Sequence, residues 1–265
     1  MLTIAGSDSG GGAGIQADIK TASANGVFGM SVITSVTAQN TKGVSGVHIV
    51  PAEFVREQAE MVLSDIAVDA VKLGMLPTPE IVDVVAEMIR KYKITNVVLD
   101  PVMIATSGDR LISEEAVERI MTELLPMVRV ITPNIPEAEF ITGLKLGAAK
   151  TSDYQRIAQG FFDQKAKSVL IKSGHLQAEN VKDCLFDGTT DCLYKYPYKK
   201  IGTLNTHGTG CTLSSAIASY LALGFDLPEA VGKAEGYIHG AVAAGADYQL
   251  GAGHGPVHHF FKSWE

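Results

Sequence analysis

Charge is scarce in this chain. Only 19% of its 265 residues are Asp, Glu, Lys or Arg, and acids outnumber bases 29 to 22, which leaves a formal net charge of −7. That balance argues against a nucleic-acid or anionic-membrane partner, so any phosphate site has to be local, built from backbone and a few side chains. Cysteine is scarce too. Cys184, Cys192 and Cys211 are an odd number without metal-type spacing, which argues against a disulfide framework or a cysteine-held zinc. Cys184 and Cys192 flank a predicted turn and could face each other, but three reduced thiols is the simpler expectation. The opening MLTIAGSDS lacks a basic n-region and enters a strand at once, which predicts no secretory leader. Residues 21–41 and 201–225 are long uncharged runs, yet they are too rich in Ser, Thr, Asn, Gln and Gly to span a membrane. A cytoplasmic protein is expected, with one α/β domain over residues 1–265.

What is present is ordinary core material, 46% hydrophobic, arranged in strand–helix alternation. Short apolar strands are predicted at 2–5, 30–38, 70–73, 97–99, 128–131 and 168–171. Between them lie helices at 15–26, 51–66, 79–91 (capped by Thr78, with Pro79 first), 114–125 (capped by Ser113) and 152–164 (Ser152 and Gln155 as a capping box). A short helix carries Glu137, and a long one runs over 228–248. Residues 182–186 and 192–198 alternate around Asp187-Gly188, which predicts an antiparallel hairpin. The alternation predicts a mostly parallel central sheet with helices on both faces. Such sheets bind ligands beyond the carboxyl ends of their strands. Asp8, Gln39, Met75, Asp100, Asn134, Glu137 and Lys172 all fall at predicted strand ends, so one rim should collect them.

Two glycine turns stand out. Asn205-Thr206-His207-Gly208-Thr209-Gly210-Cys211 opens onto the small, uncharged run TLSSAIASYLALG. Unpaired amides and the helix dipole make such a start an anion site, and Gly208 and Gly210 let the anion approach the backbone. Cys211 sits at the helix mouth, where a thiol pKa is usually lowered. A tight turn before a packed helix, with a buried cysteine, is the alternative. The other turn, GSDSGGGAG, follows the first strand. It is no dinucleotide fingerprint, because Ile15 stands where the third glycine belongs, and it has no P-loop lysine. Its glycines predict that something approaches the backbone there, or else a plain tight crossover.

An anion-binding helix mouth, a lysine, two separated carboxylates and amide side chains are the parts phosphoryl transfer needs. A binding module with the same rim and no reaction is the generic rival. The segments TIAGSDSGGGAGIQADIKT, VITSVTAQNT, KLGML, VVLDPVM, ITPNIPEA and NTHGTGCTLSSAIA together resemble the hydroxymethylpyrimidine (phosphate) kinases of thiamin biosynthesis. These form a branch of the ribokinase-like superfamily close to pyridoxal kinases. The resemblance runs from Leu2 to the closing GPVHHF.

The resemblance implies a three-layer α/β/α ribokinase-like fold with a small antiparallel hairpin, and a homodimer. It also implies ATP- and Mg²⁺-dependent phosphorylation of 4-amino-5-hydroxymethyl-2-methylpyrimidine and then of its monophosphate. Gln39 would read the pyrimidine, since an amide donates and accepts at once. Gly6, Asp18 and Met75 would occupy substrate-pocket positions, although Asp18 could be a solvated acid and Met75 core. Asn134 and Glu137 form the superfamily's N-x-x-E motif, with Glu137 and Asp100 serving the metal. Lys172, Asn134 and Thr209 would face the ATP phosphates. Gly208, Gly210 and Cys211 would form the catalytic turn. Most of the superfamily carries an aspartate base where this branch has the cysteine, so Cys211 is either a base or a group that positions the hydroxyl. Gly10 departs from relatives that often have serine. Pyridoxal or pyridoxine kinase activity, and a non-catalytic pyrimidine or vitamer sensor, are the other readings of these residues. His175 and His207 flank the rim as possible ligand contacts or loop hydrogen bonds. His254, His258 and His259 read as packing.

Overall fold

The computed structural model describes residues 1–103, 112–146, 151–174, 176 and 178–264; His175 lies outside them. The chain begins β1 (Leu2–Asp8), α1 (Gly14–Ala24), β2 (Met30–Asn40), β3 (Gly43–Ile49), α2 (Ala52–Leu63), β4 (Val71–Leu73), α3 (Pro79–Lys91) and β5 (Val97–Leu99). Then come α4 (Glu114–Arg119), which widens into a π turn over Ile120–Leu124, β6 (Val130–Ile131), α5 (Ile135–Thr142) and α6 (Thr151–Asp163). The last part holds β7 (Ser168–Ile171), β8 (Asn180–Asp187), β9 (Cys192–Lys199), α7 (Thr209–Ala222) and α8 (Leu227–Gly245). Two caps sit where side-chain chemistry puts them: Thr78 Oγ1 accepts from the Ile81 amide and Ser113 Oγ from the Ala116 amide. Ser152, expected ahead of its helix, lies inside α6 instead.

The described strands form one sheet in the order β3-β2-β1-β4-β5-β6-β7-β8-β9. From β2 to β7 all neighbours are parallel, while β3, β8 and β9 pair antiparallel. The β8–β9 hairpin is the expected one. Strand β3 was not expected: GVSGVHI has two glycines and no buried residue, so it carries no apolar alternation and is held by its backbone ladder to β2.

Alternate residues of each central strand face opposite layers. Val97 and Leu99, Ile131, and Val169 and Ile171 point into the core under α2, α3, α4 and α6. Val98, Val130 and Leu170 point into a second core under α7 and α8. The small residues of α7 are explained by this position. Thr212, Leu213, Ser214, Ser215, Ala216, Ile217, Ala218 and Ser219 are all buried, so the helix has no solvated face to hold charge. Cys184 is buried opposite Lys195 and Cys192 is exposed opposite Asp187, so the two do not face each other, and all three thiols are free. No described helix is long and apolar enough to cross a membrane.

Candidate active site

The carboxyl ends of the parallel strands open into a cleft of about 1140 Å³. Its lining follows the strand order. Gly6, Gln39 and Met75 come from the β1, β2 and β4 ends. Asp100, Asn134, Glu137 and Lys172 come from the β5, β6 and β7 ends, and Gly208, Thr209, Gly210 and Cys211 bring in the start of α7. Gly6 and Met75 are neighbours, since a Cβ on Gly6 would lie 3.6 Å from Met75 Sδ. Of the residues that the resemblance assigns to catalysis, substrate, phosphate and metal, the cleft gathers all but Asp18.

At the middle of the cleft, Lys172 Nζ lies 3.0 Å from Asp100 Oδ1. Burial works against the Lys172 ammonium, but the Asp100 and Glu137 carboxylates outweigh it and hold its pKa above the ordinary lysine value. Burial likewise works against the Asp100 carboxylate. The Lys172 and Lys72 charges and hydrogen bonds from Lys172 and Ser214 outweigh it, so its pKa falls. Glu137 closes a capping box: the Asn134 amide donates to Glu137 Oε2 at 2.8 Å, and the Glu137 amide to Asn134 Oδ1 at 2.9 Å. Burial pushes the Glu137 carboxyl up to about 7. Gly210 faces this group, because a Cβ there would sit 3.4 Å from Lys172 Nζ and 3.6 Å from Asp100 Oδ2. The Thr209 amide donates to the Thr206 carbonyl at 3.3 Å and the Thr212 amide to the Gly208 carbonyl at 2.8 Å, which leaves the Gly210 and Cys211 amides without a carbonyl one turn earlier in the helix. They open beside a lysine and two carboxylates, an arrangement suited to a phosphate with a hard cation.

The first glycine turn has a different job. Its amides are already taken: Gly10 N donates to Asp8 Oδ1 at 2.8 Å, and Gly12 N and Ala13 N donate to Asp8 Oδ2 at 3.1 and 2.9 Å. A carboxylate of the chain fills the place an external anion would take. What approaches this backbone is the second turn. Gly208 has φ +82°, and a Cβ on it would overlap the Gly12 carbonyl oxygen. His207 Nε2 reaches Asp8 Oδ2 at 2.8 Å.

Two expectations need correction. Asp18 does not line the cleft and is not solvated. It is fully buried on the sheet side of α1, where Lys72 Nζ donates to its oxygens at 3.0 and 2.9 Å. Thr3 Oγ1 and Ser215 Oγ add bonds of 2.6 Å each. Cys211 does line the cleft, but its thiol is not activated. Burial, with the Asp18 and Asp100 carboxylates, pushes it up to about 11, against the pull of Lys72 and a hydrogen bond from the Gly14 backbone. One residue was not read from the sequence. Lys72 is a lysine inside the apolar strand AVKLGML, a signal that it has a buried partner. His207, read as a ligand contact or a loop hydrogen bond, makes the loop hydrogen bond, to Asp8. In the tail, His259 is buried and its Nε2 lies 3.0 Å from Thr212 Oγ1.

The model of the family described as phosphomethylpyrimidine kinase matches residues 8–258. The chain belongs to the phosphomethylpyrimidine kinase family. It is 49% identical over 264 residues to the hydroxymethylpyrimidine/phosphomethylpyrimidine kinase of Rhizobium meliloti (strain 1021), covering 100% of this chain and 98% of that protein. Among solved structures, it is similar to the phosphomethylpyrimidine kinase of Clostridium difficile 630, with a TM-score of 0.80 and 46% identity over 91% of this chain and 98% of that one. It is also similar to the pyridoxal kinase of Staphylococcus aureus in complex with AMP-PCP and pyridoxal. There the TM-score is 0.87 and the identity 34%, over 98% of this chain and 92% of that one. The expected kinase class and ribokinase-like α/β fold are borne out.

Beyond Lys172, the cleft of this phosphomethylpyrimidine kinase family member continues past Tyr198, Ile201, Ile238 and Val242 to two buried carboxyls, Asp183 and Glu235. Burial pushes Glu235 up to about 7 from 4.5, and burial with the Glu235 charge raises Asp183. A carboxyl with a raised folded pKa takes stability away as pH rises. Below about 4.5 both folded and unfolded chains hold the proton; between there and 7 only the folded chain holds it; above 7 the loss is complete. Glu235→Gln removes that loss. Its melting temperature should match the parent's near pH 4.5 and exceed it by a margin that grows as pH rises to about 7 and then levels off. A pH-independent difference between the two melting curves would show that Glu235 does not titrate in this window.

Proposed function

We propose that the chain transfers the γ-phosphoryl group of ATP to the hydroxymethyl group of 4-amino-5-hydroxymethyl-2-methylpyrimidine, and then to the resulting monophosphate, in thiamin biosynthesis. The observation that carries this is the single cleft joining Gln39, Gly6 and Met75 to Lys172, Asp100, Glu137 and the start of α7. Gln39 presents a donor and an acceptor to an aminopyrimidine edge, and Met75 lies against the ring. Lys172 and the start of α7 hold phosphate oxygens through charge and backbone donors set in place beforehand.

Among the described residues, no group of three or more His, Cys, Asp or Glu could hold a metal by protein ligands alone. Asp100 and Glu137 offer hard carboxylate oxygens on the phosphate side of the cleft, which fits Mg²⁺ held through water and the nucleotide. Bound there, Mg²⁺ would neutralise charge on the phosphate oxygens. A cation beside Glu137 favours its ionised form. Cys211, a neutral thiol at pH 7, orients the attacking hydroxyl, and a loose phosphoryl-transfer transition state needs little more from it.

Incubation with Mg-ATP and the aminopyrimidine, with mass spectrometry of the products, tests the reading: mono- and diphosphate are expected. Pyridoxal is the second substrate to run, because the chain is similar to a pyridoxal kinase along nearly its whole length. Saturable turnover of pyridoxal with none of the aminopyrimidine would overturn the reading. Substrate binding with neither ATP consumption nor product would make the protein a sensor. Gln39→Ala should raise KM for the pyrimidine about 10-fold, the effect of unpairing a polar ring edge, with KM for ATP little changed. Equal effects on both would remove Gln39 from the ring pocket.

The β3 edge suits a second copy of the chain. Val36, Val47 and Ile49 on the β2–β3 pair and Phe54 and Met61 on α2 are exposed, and the outer ladder of β3 is unpaired among the described strands. A homodimer through this edge should dissociate in sedimentation when Val47 is replaced by Lys.

A further inference from the structure

We propose that Gly253 is a positioning residue for ring recognition: the tail segment 251–255 straps the Gln39 end of β2 to the turn that enters α7, and so sets how far the ring lies from the phosphate site. This rests on Gln39 reading the ring. One end of the strap, the segment GAGHG, is firmly anchored. The Gly255 carbonyl accepts from the His207 amide at 3.0 Å. Gly255 is buried against Asn205, where a Cβ would overlap Asn205 Oδ1. Asn205 is itself buried, and its Nδ2 donates to the Gly245 and Tyr248 carbonyls at 2.7 Å each, which ties the anchor to the end of α8.

The other end holds a weak element. Strand β3 has no buried residue, and the β2–β3 register shifts between Ala38 and Gln39. Beyond that irregularity only Gln39 with Val44 and Asn40 with Gly43 still pair. Ser9 Oγ bonds the Gln39 amide and carbonyl at 2.8 Å each, but Ser9 is exposed. The tip that follows is Thr41 and Lys42, and the strap closes on it. The His254 amide donates to the Thr41 carbonyl at 2.9 Å, and the Gly253 amide to Thr41 Oγ1 at 3.2 Å. Thr41 follows Gln39 by two residues and His207 precedes Gly208 by one, so the strap joins the ring reader to the phosphate turn by a short path.

Gly253 is where the strap has no slack. Its φ is not in the left-handed range, so glycine is needed there for contact and not for backbone freedom. A Cβ on it would overlap the Thr41 carbonyl oxygen and lie 3.0 Å from the Lys42 amide nitrogen. Both are backbone atoms, so no side chain can turn aside to make room. The tip has to move, and the His254–Thr41 bond is lost with it. An exposed edge with few buried contacts opens at little cost, so the displacement passes along the short ladder to Gln39 and is not absorbed by a core.

Gly253→Ala should raise KM for the aminopyrimidine about 10-fold, the effect of losing one polar contact, and leave KM for ATP within about twofold. In a Gln39→Ala background it should add less than about twofold, because the strap acts through Gln39 and coupled residues are not additive. Thr41→Val removes only the acceptor of the Gly253 amide and should raise KM for the pyrimidine about threefold. Thr41→Ser keeps that acceptor and should recover most of the loss. This milder pair decides the matter if Gly253→Ala does not fold. The proposal is overturned if Gly253→Ala leaves KM for the pyrimidine unchanged, if both KM values rise together, if its full effect persists without Gln39, or if Thr41→Ser is no better than Thr41→Val. An effect of Gln39→Ala without one of Gly253→Ala sinks this proposal alone. The absence of both sinks the ring reading with it.

Discussion

Lys72→Met is expected to be strongly destabilised. The Lys72 and Asp18 side chains are both fully buried, Lys72 Nζ lies 2.9 Å from Asp18 Oδ2, and the Thr3 and Ser215 hydroxyls complete the carboxylate's shell. Burial works against the ammonium, yet the Asp18 charge outweighs it and keeps the Lys72 pKa above its ordinary value. Methionine fills most of the lysine's volume, so the loss is one of charge. It strands a carboxylate between β4, α1 and α7, at a cost of about 3–5 kcal/mol. Total stability is on the order of 5–15 kcal/mol, so the single variant stands near the edge of unfolding. Lys72→Met/Asp18→Asn should be more stable than Lys72→Met alone, since no buried charge is left and the amide still accepts from a hydroxyl. Urea midpoints of the parent, the single and the double variant decide this. A single variant within about 1 kcal/mol of the parent would mean that water or a rearranged partner already compensates Asp18. A double variant as weak as the single would put the cost in packing.

This pair also shows where sequence reading stopped. The rim could be read because a parallel sheet delivers its strand ends to one edge. Once β1, β4, β5, β6 and β7 were placed, Asp100, Asn134 and Lys172 had to meet. What lies one layer down was harder. Asp18 falls on the same helical stripe as Thr21 and Ala22, all buried, so the 3.6-residue period already turned it inward. A lysine in the middle of a buried strand was its counterpart. The two charges were visible separately, but nothing in the linear order joined residue 18 to residue 72. Cys211 failed for another reason. Helix-mouth logic counts the dipole and omits desolvation and the nearby Asp18 and Asp100 carboxylates, and the sign of a thiol shift depends on all of them. At Asp8 the strand-end position was read correctly, but its carboxylate turned back onto the glycine amides that the turn seemed to hold open.

Gly208→Ala should abolish activity while leaving most of the fold. Gly208 precedes α7 with φ +82°, a conformation that costs an L-residue about 1–3 kcal/mol. The added Cβ would also overlap the Gly12 carbonyl oxygen and sit 3.2 Å from Ala13 Cα. The two turns must separate, and the start of α7 moves with Gly208. The start of α7 at Gly210, which lies beside the Lys172–Asp100 pair, then leaves its position. Removing one preorganised donor from a charge-stabilising site costs about 10²–10³ in kcat, and here the whole first turn shifts, so a loss at the upper end is expected. The stability loss is smaller in consequence, because both turns lie at the rim and the cores beneath the sheet are untouched. Gly210→Ala is the informative contrast. Its φ is not in the left-handed range, and the nearest atom to its new methyl is Lys172 Nζ at 3.4 Å, the end of a side chain that can shift. It should keep its melting temperature and lose activity less severely. If Gly208→Ala keeps kcat within about threefold of the parent while unfolding at the expected lower temperature, the α7 amides do not stabilise the transferring phosphoryl. Lys172 would then carry that role alone.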